Sequence, residues 1–302
     1  MAVYSKLLLS TGGGIISTRQ QAEQAQNTAS VLIGLGGTGI DCLRTIKTQV
    51  YSRLKADDPE AVAASYSHIR FLGIDTAEKS RGSNDPADGD VKADSLMALD
   101  DTEFFSIGNP NVKKAFTNMI ALERRPELSW LGWEEIEAPD LGKAGAGGIR
   151  QVGRYMMMDR SNQFLGRIEQ EINAAKSGLA EPTVNIHIFS GLSGGTGAGC
   201  FLDVCYMVRS IADKVGGVTM FGYFFLPDVN LDRVPFADTK TRAYIPKNGY
   251  ASMQELDYCM QLQYNGGSFV QEYQGHKKIE WKTGPVDMCH LICATNSSGD
   301  VI

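Results

Sequence analysis

The sequence predicts an α/β fold of the Rossmann-like kind, with a mainly parallel sheet and helices on both faces. Short apolar runs of strand length alternate along the chain with amphipathic stretches that are long enough to connect parallel strands. Glycine-rich loops lie where these strands end, and open parallel sheets bind ligands at the carboxyl ends of their strands. The 302 residues, 43% of them hydrophobic, suffice for a full core.

The first half of the chain is predicted to contain an extension, a strand–loop–helix unit and a second strand. Residues 1–29 are polar and rich in Gln and Ala, so we expect an N-terminal extension before one domain over residues 30–302. A strand over 30–35 precedes a helix whose apolar residues recur every three or four positions, namely Ile40, Leu43, Ile46, Val50 and Leu54. The next strand, 68–76, ends in Asp75 and Thr76, and residues 79–138 are predicted to be irregular with one short helix.

The second half repeats the alternation of helices and strands. The predicted helices are 149–176, 198–214 and 248–263, and the predicted strands are 184–190, 218–226 and 286–294. The run Met156–Met158 falls on the first of these helices, where core packing is the expected role.

Composition and charge exclude several classes of protein. A net charge of −6 and a pI near 5.3 argue against a general nucleic-acid binder. The longest apolar run, residues 218–227, is about half of a bilayer crossing, and no secretory signal opens the chain, so we expect a cytoplasmic protein without membrane insertion. Six cysteines form no CxxC pair and four histidines form no ligand motif. We therefore expect reduced, structural thiols and no protein-held metal centre.

Three glycine-rich loops carry the functional signal: GLGGTG at 34–39, GKAGAGG at 142–148 and SGLSGGTGAG at 190–199. A single glycine turn often serves only close packing, but three in one parallel sheet indicate one shared phosphate site. Successive backbone N–H groups that lead into a helix N-terminus form an anion cradle, which side chains would obstruct. Such a loop needs no lysine, because backbone dipoles and a hydrated magnesium ion can balance the charge.

Two other nucleotide-binding motifs fit less well. GLGGTG matches the dinucleotide pattern G-x-G-x-x-G, which requires an acidic residue about 20 residues later at the end of the second strand. The first acid in that structural place, Asp75, lies well beyond that distance. A P-loop requires G-x-x-x-x-G-K-[ST], which does not occur in this sequence.

The loop GLSGGTGAG resembles the signature loop of the tubulin/FtsZ superfamily, GGGTGSG or GGGTGTG, with Ser193 in the first glycine position. GLGGTGIDCL resembles the first nucleotide loop of FtsZ, GIDT resembles its strand end AINTD, and GAGGIRQVGR is similar to its GAGG-x-x-x-x-GR run. ATN after the strand MCHLI resembles the place of the asparagine that meets guanine. The resemblance covers residues 30–302 and is strongest to the bacterial tubulin-like branch, whose members carry a GGGI run before a GLGGTG loop.

The resemblance implies GTP or GDP with Mg²⁺ as cofactors, and it assigns roles to particular residues. The α- and β-phosphates would be held by Gly194, Gly195, Thr196 and Gly197. The opposite side would be lined by Gly36, Gly37 and Thr38, with Asp41 near the base or ribose. The γ-phosphate would be sensed by Ala146, Gly147 and Gly148, the metal or phosphates would lie by Asp75 and Thr76, and guanine would lie by Asn296.

Two of these assignments have open alternatives. Asp41 is equally well explained as a first-turn acid that the helix dipole favours. The ribose-binding run of the family is poorly matched by LPDVNLDRV, where Asp232 and Arg233 are the candidates. Arg154 is predicted to form an ion pair or face solvent instead of binding phosphate.

The resemblance further implies self-association into filaments and GTP hydrolysis in trans, by an acid from a second domain of the neighbouring subunit. We expect a long central helix and that domain to lie beyond Ile302, so no catalytic residue is assigned and the chain alone is expected to be inactive. Two alternatives stay open: a non-hydrolysing, nucleotide-dependent scaffold or switch, and a dinucleotide-binding oxidoreductase.

Overall fold

The structure is a computed structural model that describes residues 27–53, 67–78, 82, 98–109, 130–131, 145–180, 182–231, 234, 236, 238–273, 275 and 277–295. Its strands are β1 (Thr28–Leu35), β2 (Ile69–Asp75), β3 (Phe104–Ser106), β4 (Thr183–Gly191), β5 (Val218–Phe225), β6 (Phe269–Tyr273), β7 (Lys277–Trp281) and β8 (Met288–Ile292). Its helices are α1 (Gly36–Arg53), α2 (Arg150–Asp159), α3 (Ser161–Lys176), α4 (Thr196–Val215), α5 (Pro227–Leu231), α6 (Thr239–Met260) and α7 (Leu262–Asn265).

Six strands form one parallel sheet in the order β3-β2-β1-β4-β5-β8, as the alternating pattern predicts. From β1 the chain moves outward to β2 and β3, and then returns to the other side of β1 to form β4. The order of strands therefore reverses between β1 and β4, and this switch point is where open α/β sheets leave a crevice for ligands.

The register places the ends of the three central strands at one level. Leu35, the last residue of β1, is paired with Ile74 of β2 and with Ser190 of β4. Because all three strands are parallel, the loops that follow them leave the sheet at the same edge. The fold therefore brings together chain segments that are far apart in sequence.

The sheet is covered on both faces because side chains alternate along each strand. Leu32 of β1 packs with Ile40 and Leu43 of α1 on one face, whereas Val31 and Ile33 join the cluster formed with α2, α3 and α4 on the other. The run Met156–Met158 is buried in this second cluster, which confirms its predicted packing role.

Two helices differ from their predicted bounds. The helix predicted over 149–176 is two helices, because Arg160 leaves the helical region with φ −110° and ψ 8°. Ser161 donates its hydroxyl to the Met158 carbonyl at 2.8 Å, which competes with the backbone bond of a continuous helix. The helix predicted over 248–263 begins at Thr239 and includes Pro246, with buried residues on both sides of that proline.

The sequence analysis did not predict three of the strands, and it placed the start of one further strand too late in the chain. β3 has only three residues, and β6 and β7 form an antiparallel hairpin in a segment that the sequence analysis left unassigned. Strands this short leave little alternation to detect. β1 begins at Thr28, two residues inside the segment predicted as an extension, while residues 1–26 and the predicted short helix near 111–122 lie outside the described residues.

All six cysteines lie within the described residues, and each is a free thiol. Burial raises the pKa of the Cys200 thiol well above its usual value and that of Cys259 to about 11, so these thiols stay protonated. No helix in the described part of the chain is long and apolar enough to cross a membrane.

Candidate functional site

The three glycine-rich loops meet around one open cleft of about 350 Å³ at the carboxyl edge of the sheet. Twelve of the fourteen residues proposed from sequence line it, namely Gly36, Gly37, Thr38, Asp75, Thr76, Ala146, Gly147, Gly148, Gly194, Gly195, Thr196 and Gly197. Three further lining residues were not proposed: Leu35, Ala77 and Gly191. The three loops therefore border one cleft, and its role as a phosphate site stays a prediction.

Two long helices begin at the cleft. α1 starts at Gly36, directly after β1, and α4 starts at Thr196, at the end of the third loop. The first N–H groups of a helix have no partner within the helix, and the helix dipole places partial positive charge at this end. Both helices therefore direct donors and positive potential at the same space, as an anion site requires.

The glycines of the cleft are of two kinds. A Cβ atom added at Gly37, Gly147 or Gly194 would meet no other atom within 4 Å, so the backbone there borders open space. A Cβ added at Gly36, in contrast, would lie 2.9 Å from the backbone nitrogen of Gly197, and one at Gly195 would lie 2.8 Å from the Cβ of Ala146. Some of these glycines leave room for a ligand, and the others let the loops pack against each other.

A buried hydroxyl group connects the loops. The Thr76 hydroxyl lies 2.8 Å from the Thr196 hydroxyl and accepts a hydrogen bond from the Ala146 N–H at 3.0 Å. The Thr76 N–H in turn donates to Asp75 at 2.7 Å. Thr76 therefore joins the end of β2 to both of the other glycine loops, so it has a structural role beside any contact with a ligand.

Charge in the cleft comes from one carboxylate. Asp75 is 5% exposed, and it is the single charged residue among the described residues that line the cleft. Since no Lys or Arg lines this part of the structure, an anion would be balanced by backbone N–H groups and helix ends. Nor do the described residues contain a cluster of three His, Cys, Asp or Glu side chains that could hold a metal ion by themselves.

The structure separates Asp41 from the other proposed residues. Because α1 begins at Gly36, Asp41 lies beyond the first turn of the helix, where it pairs with Arg44. It is not among the residues that line the cleft. The alternative explanation, a first-turn acid, is wrong, since the helix starts at Gly36, whereas a contact of Asp41 with the base or ribose stays a prediction.

Three proposed residues lie outside the described residues, namely Asn296, Asp232 and Arg233. The chain just before Asn296 is described: Ala294 donates its N–H to Asp228 of α5 at 2.8 Å. Arg154 pairs with Asp203 at 2.8 Å and does not line the cleft, which agrees with the ion pair predicted for it.

Sequence reasoning missed two buried asparagines at the cleft. Asn230 of α5 accepts a hydrogen bond from the Thr38 hydroxyl at 2.9 Å. Asn248 of α6 donates from its side-chain nitrogen to the carbonyl oxygens of Gly148, at 2.8 Å, and of Ser193, at 2.9 Å. Both lie on helices that follow β5, far in sequence from the loops they contact, and no motif marks either of them.

Comparison with known proteins identifies the relatives of this chain. A family model described as tubulin like matches residues 31–302. No curated protein matches the chain.

Three solved structures illustrate the similarity in fold. CetZ1 from Haloferax volcanii, a GDP-bound monomer, is 13% identical with a TM-score of 0.45, over 91% of this chain and 54% of that one. CetZ2 from the same organism, a GTPγS-bound protofilament, is 14% identical with a TM-score of 0.44, over 91% and 52%. TubZ from Bacillus thuringiensis serovar israelensis, in a GTPγS-form protofilament, is 12% identical with a TM-score of 0.41, over 88% and 48%. The chain spans about half the length of these proteins.

Proposed function

The chain belongs to the tubulin-like family, and we propose that it is the guanine-nucleotide-binding domain of a filament-forming GTPase. The observation that carries this proposal is the three-loop cleft at the switch point of the sheet. Its open backbone and two helix N-termini suit a polyphosphate, which many backbone N–H groups can contact at once.

Each loop has a distinct part in the proposed site. Residues Gly194–Gly197 donate backbone N–H groups to the α- and β-phosphates at the start of α4. Residues Gly36–Thr38 contact the phosphates from the α1 side, and residues Ala146–Gly148 face the γ-phosphate. The open space at Gly37, Gly147 and Gly194 supports these assignments, because a phosphate group can approach the backbone there without a steric clash.

The cleft also fits a magnesium ion bound together with the nucleotide. Mg²⁺ commonly takes one or two carboxylates and completes its coordination with phosphate oxygens and water. Asp75 is the carboxylate in reach of the cleft, and it would hold the ion from the end of β2. When bound, the ion would neutralise phosphate charge that no Lys or Arg of the described lining balances.

The two alternatives have less support. A dinucleotide-binding oxidoreductase requires one glycine loop, whereas three loops line this cleft and the family is tubulin-like. A non-hydrolysing scaffold or switch would use the same nucleotide site, so it differs in turnover and not in binding.

Thermal unfolding with different nucleotides tests the proposal. Purified chain is melted with GTP, GDP, ATP or NADH, each with and without Mg²⁺, and with inorganic phosphate as the control. A ligand present at roughly 100 times its Kd stabilises the folded state by about 2.7 kcal/mol. We expect stabilisation by GTP and GDP that increases with Mg²⁺, and stabilisation by NADH alone would overturn the proposal.

A further inference from the structure

Asn248 connects the second and third glycine loops, which both line the proposed phosphate site. It is 8% exposed, and its side-chain nitrogen donates to Gly148 at the end of the second loop and to Ser193 in the third. An asparagine amide nitrogen carries two hydrogens, so both hydrogen bonds can form at the same time. One side chain of α6 therefore holds two loops at a defined separation.

A second contact fixes α6 against the same part of the molecule. Glu255, two helical turns after Asn248, pairs with Arg150, the first residue of α2 after the second loop. Arg150 also donates to the carbonyl of Ala198 at 3.1 Å, in the first turn of α4. Asn248 and Glu255 thus attach α6 to the segments that flank both loops.

The second and third loops also meet at Ala146, which the Thr76 hydroxyl and Gly195 approach, whereas Asn248 acts on the carbonyl of Gly148 at the end of the second loop. Gly147 and Gly148 have φ values of +57° and +79°, a region that glycine enters at little cost, and a Cβ added at Gly147 would border open space. The hydrogen bond to the Gly148 carbonyl therefore adds a restraint on this end of the second loop.

We propose that Asn248 is a positioning residue that sets the distance between these loops and thereby the preference of the site for a triphosphate over a diphosphate. This inference rests on the proposed function, in which Gly194–Gly197 hold the α- and β-phosphates and Ala146–Gly148 face the γ-phosphate. A diphosphate needs only residues Gly194–Gly197, whereas the γ-phosphate of a triphosphate also needs residues Ala146–Gly148 at the correct distance. Loss of the Asn248 contacts should therefore weaken triphosphate binding selectively.

The test compares Kd values for GTPγS and GDP, measured by calorimetric titration with Mg²⁺, in the full chain and two variants. Asn248→Ala removes both hydrogen bonds, and Asn248→Asp keeps the shape of the side chain but presents an acceptor to two carbonyl groups. For each variant we expect GTPγS binding to weaken by about tenfold, the size expected from two lost hydrogen bonds, and GDP binding to change by less than about threefold. Gln254→Ala is the matched control, because this exposed amide of α6 donates to the Tyr250 hydroxyl on its own helix and contacts neither loop among the described residues.

A merely structural role for Asn248 predicts another result, because it would weaken GTPγS and GDP binding equally and leave their ratio unchanged. That outcome in folded variants overturns the inference. If both Asn248 variants unfold, Glu255→Gln weakens the second attachment of α6 and should lower the same ratio, and an unchanged ratio there also overturns it. Failure of the unaltered chain to bind either nucleotide would instead refute the proposed function, and with it the basis of this inference.

Discussion

Single residues of the cleft fall into those that border open space and those that hold the loops together. Gly194 belongs to the first kind, whereas the Cβ of any residue at position 195 would press on the segment from Ala146 to Ile149. A substitution at Gly195 therefore disturbs the packing of two loops as well as any ligand, and it cannot separate binding from folding. A substitution at Gly194 can separate the effect on binding from the effect on folding.

Replacing Gly194 with valine should weaken nucleotide binding strongly and leave the fold intact. Its side chain would extend into the open cleft, where the phosphates are proposed to lie. Loss of two hydrogen bonds to a charged group, at about 1.5 kcal/mol each, corresponds to about 100-fold in affinity. Titration with GTP and circular dichroism measure the two effects on one sample. Gly166→Val, at an exposed helical position that is also free of contacts, is the control, and unchanged affinity in Gly194→Val would contradict the site.

Replacing Thr76 with valine should destabilise the protein even without nucleotide. The change keeps the shape of the side chain but leaves the Thr196 hydroxyl and the Ala146 N–H without this partner. An unsatisfied buried polar group costs about 1–3 kcal/mol, so we expect a loss of this size in the free energy of unfolding in urea. The matched variant is Thr45→Val, whose exposed hydroxyl donates to the Asp41 carbonyl within α1. Equal losses in the two variants would show that Thr76 does not join the loops.

Pairs of elements are held together by buried polar groups as well as by apolar packing. Asp203 of α4 accepts hydrogen bonds from Arg154 of α2 and from the Tyr273 hydroxyl of β6, each at 2.8 Å. The hairpin of β6 and β7 is therefore attached to α2 and α4, the helices that follow the second and third glycine loops. Apolar contact adds to this attachment, since Phe269 stacks on Tyr206 with ring centroids 4.0 Å apart.

Replacing buried Asp203 with asparagine should lower the free energy of unfolding by about 3 kcal/mol, because it leaves the partly buried Arg154 cation without its counter-charge. Urea unfolding followed by tryptophan fluorescence measures the loss. Glu280→Gln on the same hairpin breaks the exposed pair with Lys278 and should leave the unfolding midpoint unchanged. A midpoint for Asp203→Asn equal to that of the control would show that the pair is not needed.

Strand β4 carries a buried histidine that makes stability depend on pH. His187 stacks on Phe221 with centroids 5.0 Å apart, and burial lowers its pKa from 6.5 to about 4. Between these values the unfolded chain binds a proton that the folded chain does not, so stability is complete above pH 6.5 and falls towards pH 4.

From pH 6.5 to pH 5 this histidine should account for a loss of about 2 kcal/mol in the free energy of unfolding. His187→Phe keeps an aromatic ring in place and should reduce the loss by that amount. His290→Phe, on the exposed side of neighbouring β8, should keep the dependence of the unaltered chain. The same dependence in all three proteins would exclude His187 as its source.

The whole molecule is proposed to act in an assembly. If hydrolysis is completed across a contact between subunits, as the resemblance to the superfamily implies, turnover must depend on how many chains are in contact. We expect dilute chain to bind GTP and to release phosphate no faster than a buffer blank, with any turnover rising more steeply than protein concentration. Phosphate release measured over a range of concentrations tests this, and the same turnover per chain at every concentration would show a self-contained active site.

The sequence by itself determined the class of the fold and the composition of the cleft. Parallel strands all present their carboxyl ends at one edge, so locating the strands also located the loops that converge there. Backbone N–H groups are the proposed ligands, and glycine runs such as Gly194–Gly197 reveal them without knowledge of side-chain directions.

Only the tertiary structure decided which residues of the cleft face a ligand and which elements support them. Gly194 and Gly195 are neighbours of the same type, yet one borders open space and the other packs on the second loop, because the direction of each Cα–Cβ bond depends on how the loops meet. Asn248 contacts Gly148 across 100 positions of sequence, and Asp41 is removed from the cleft by an early helix start. Such contacts leave no periodicity in the sequence, since they arise only when separately formed elements pack together.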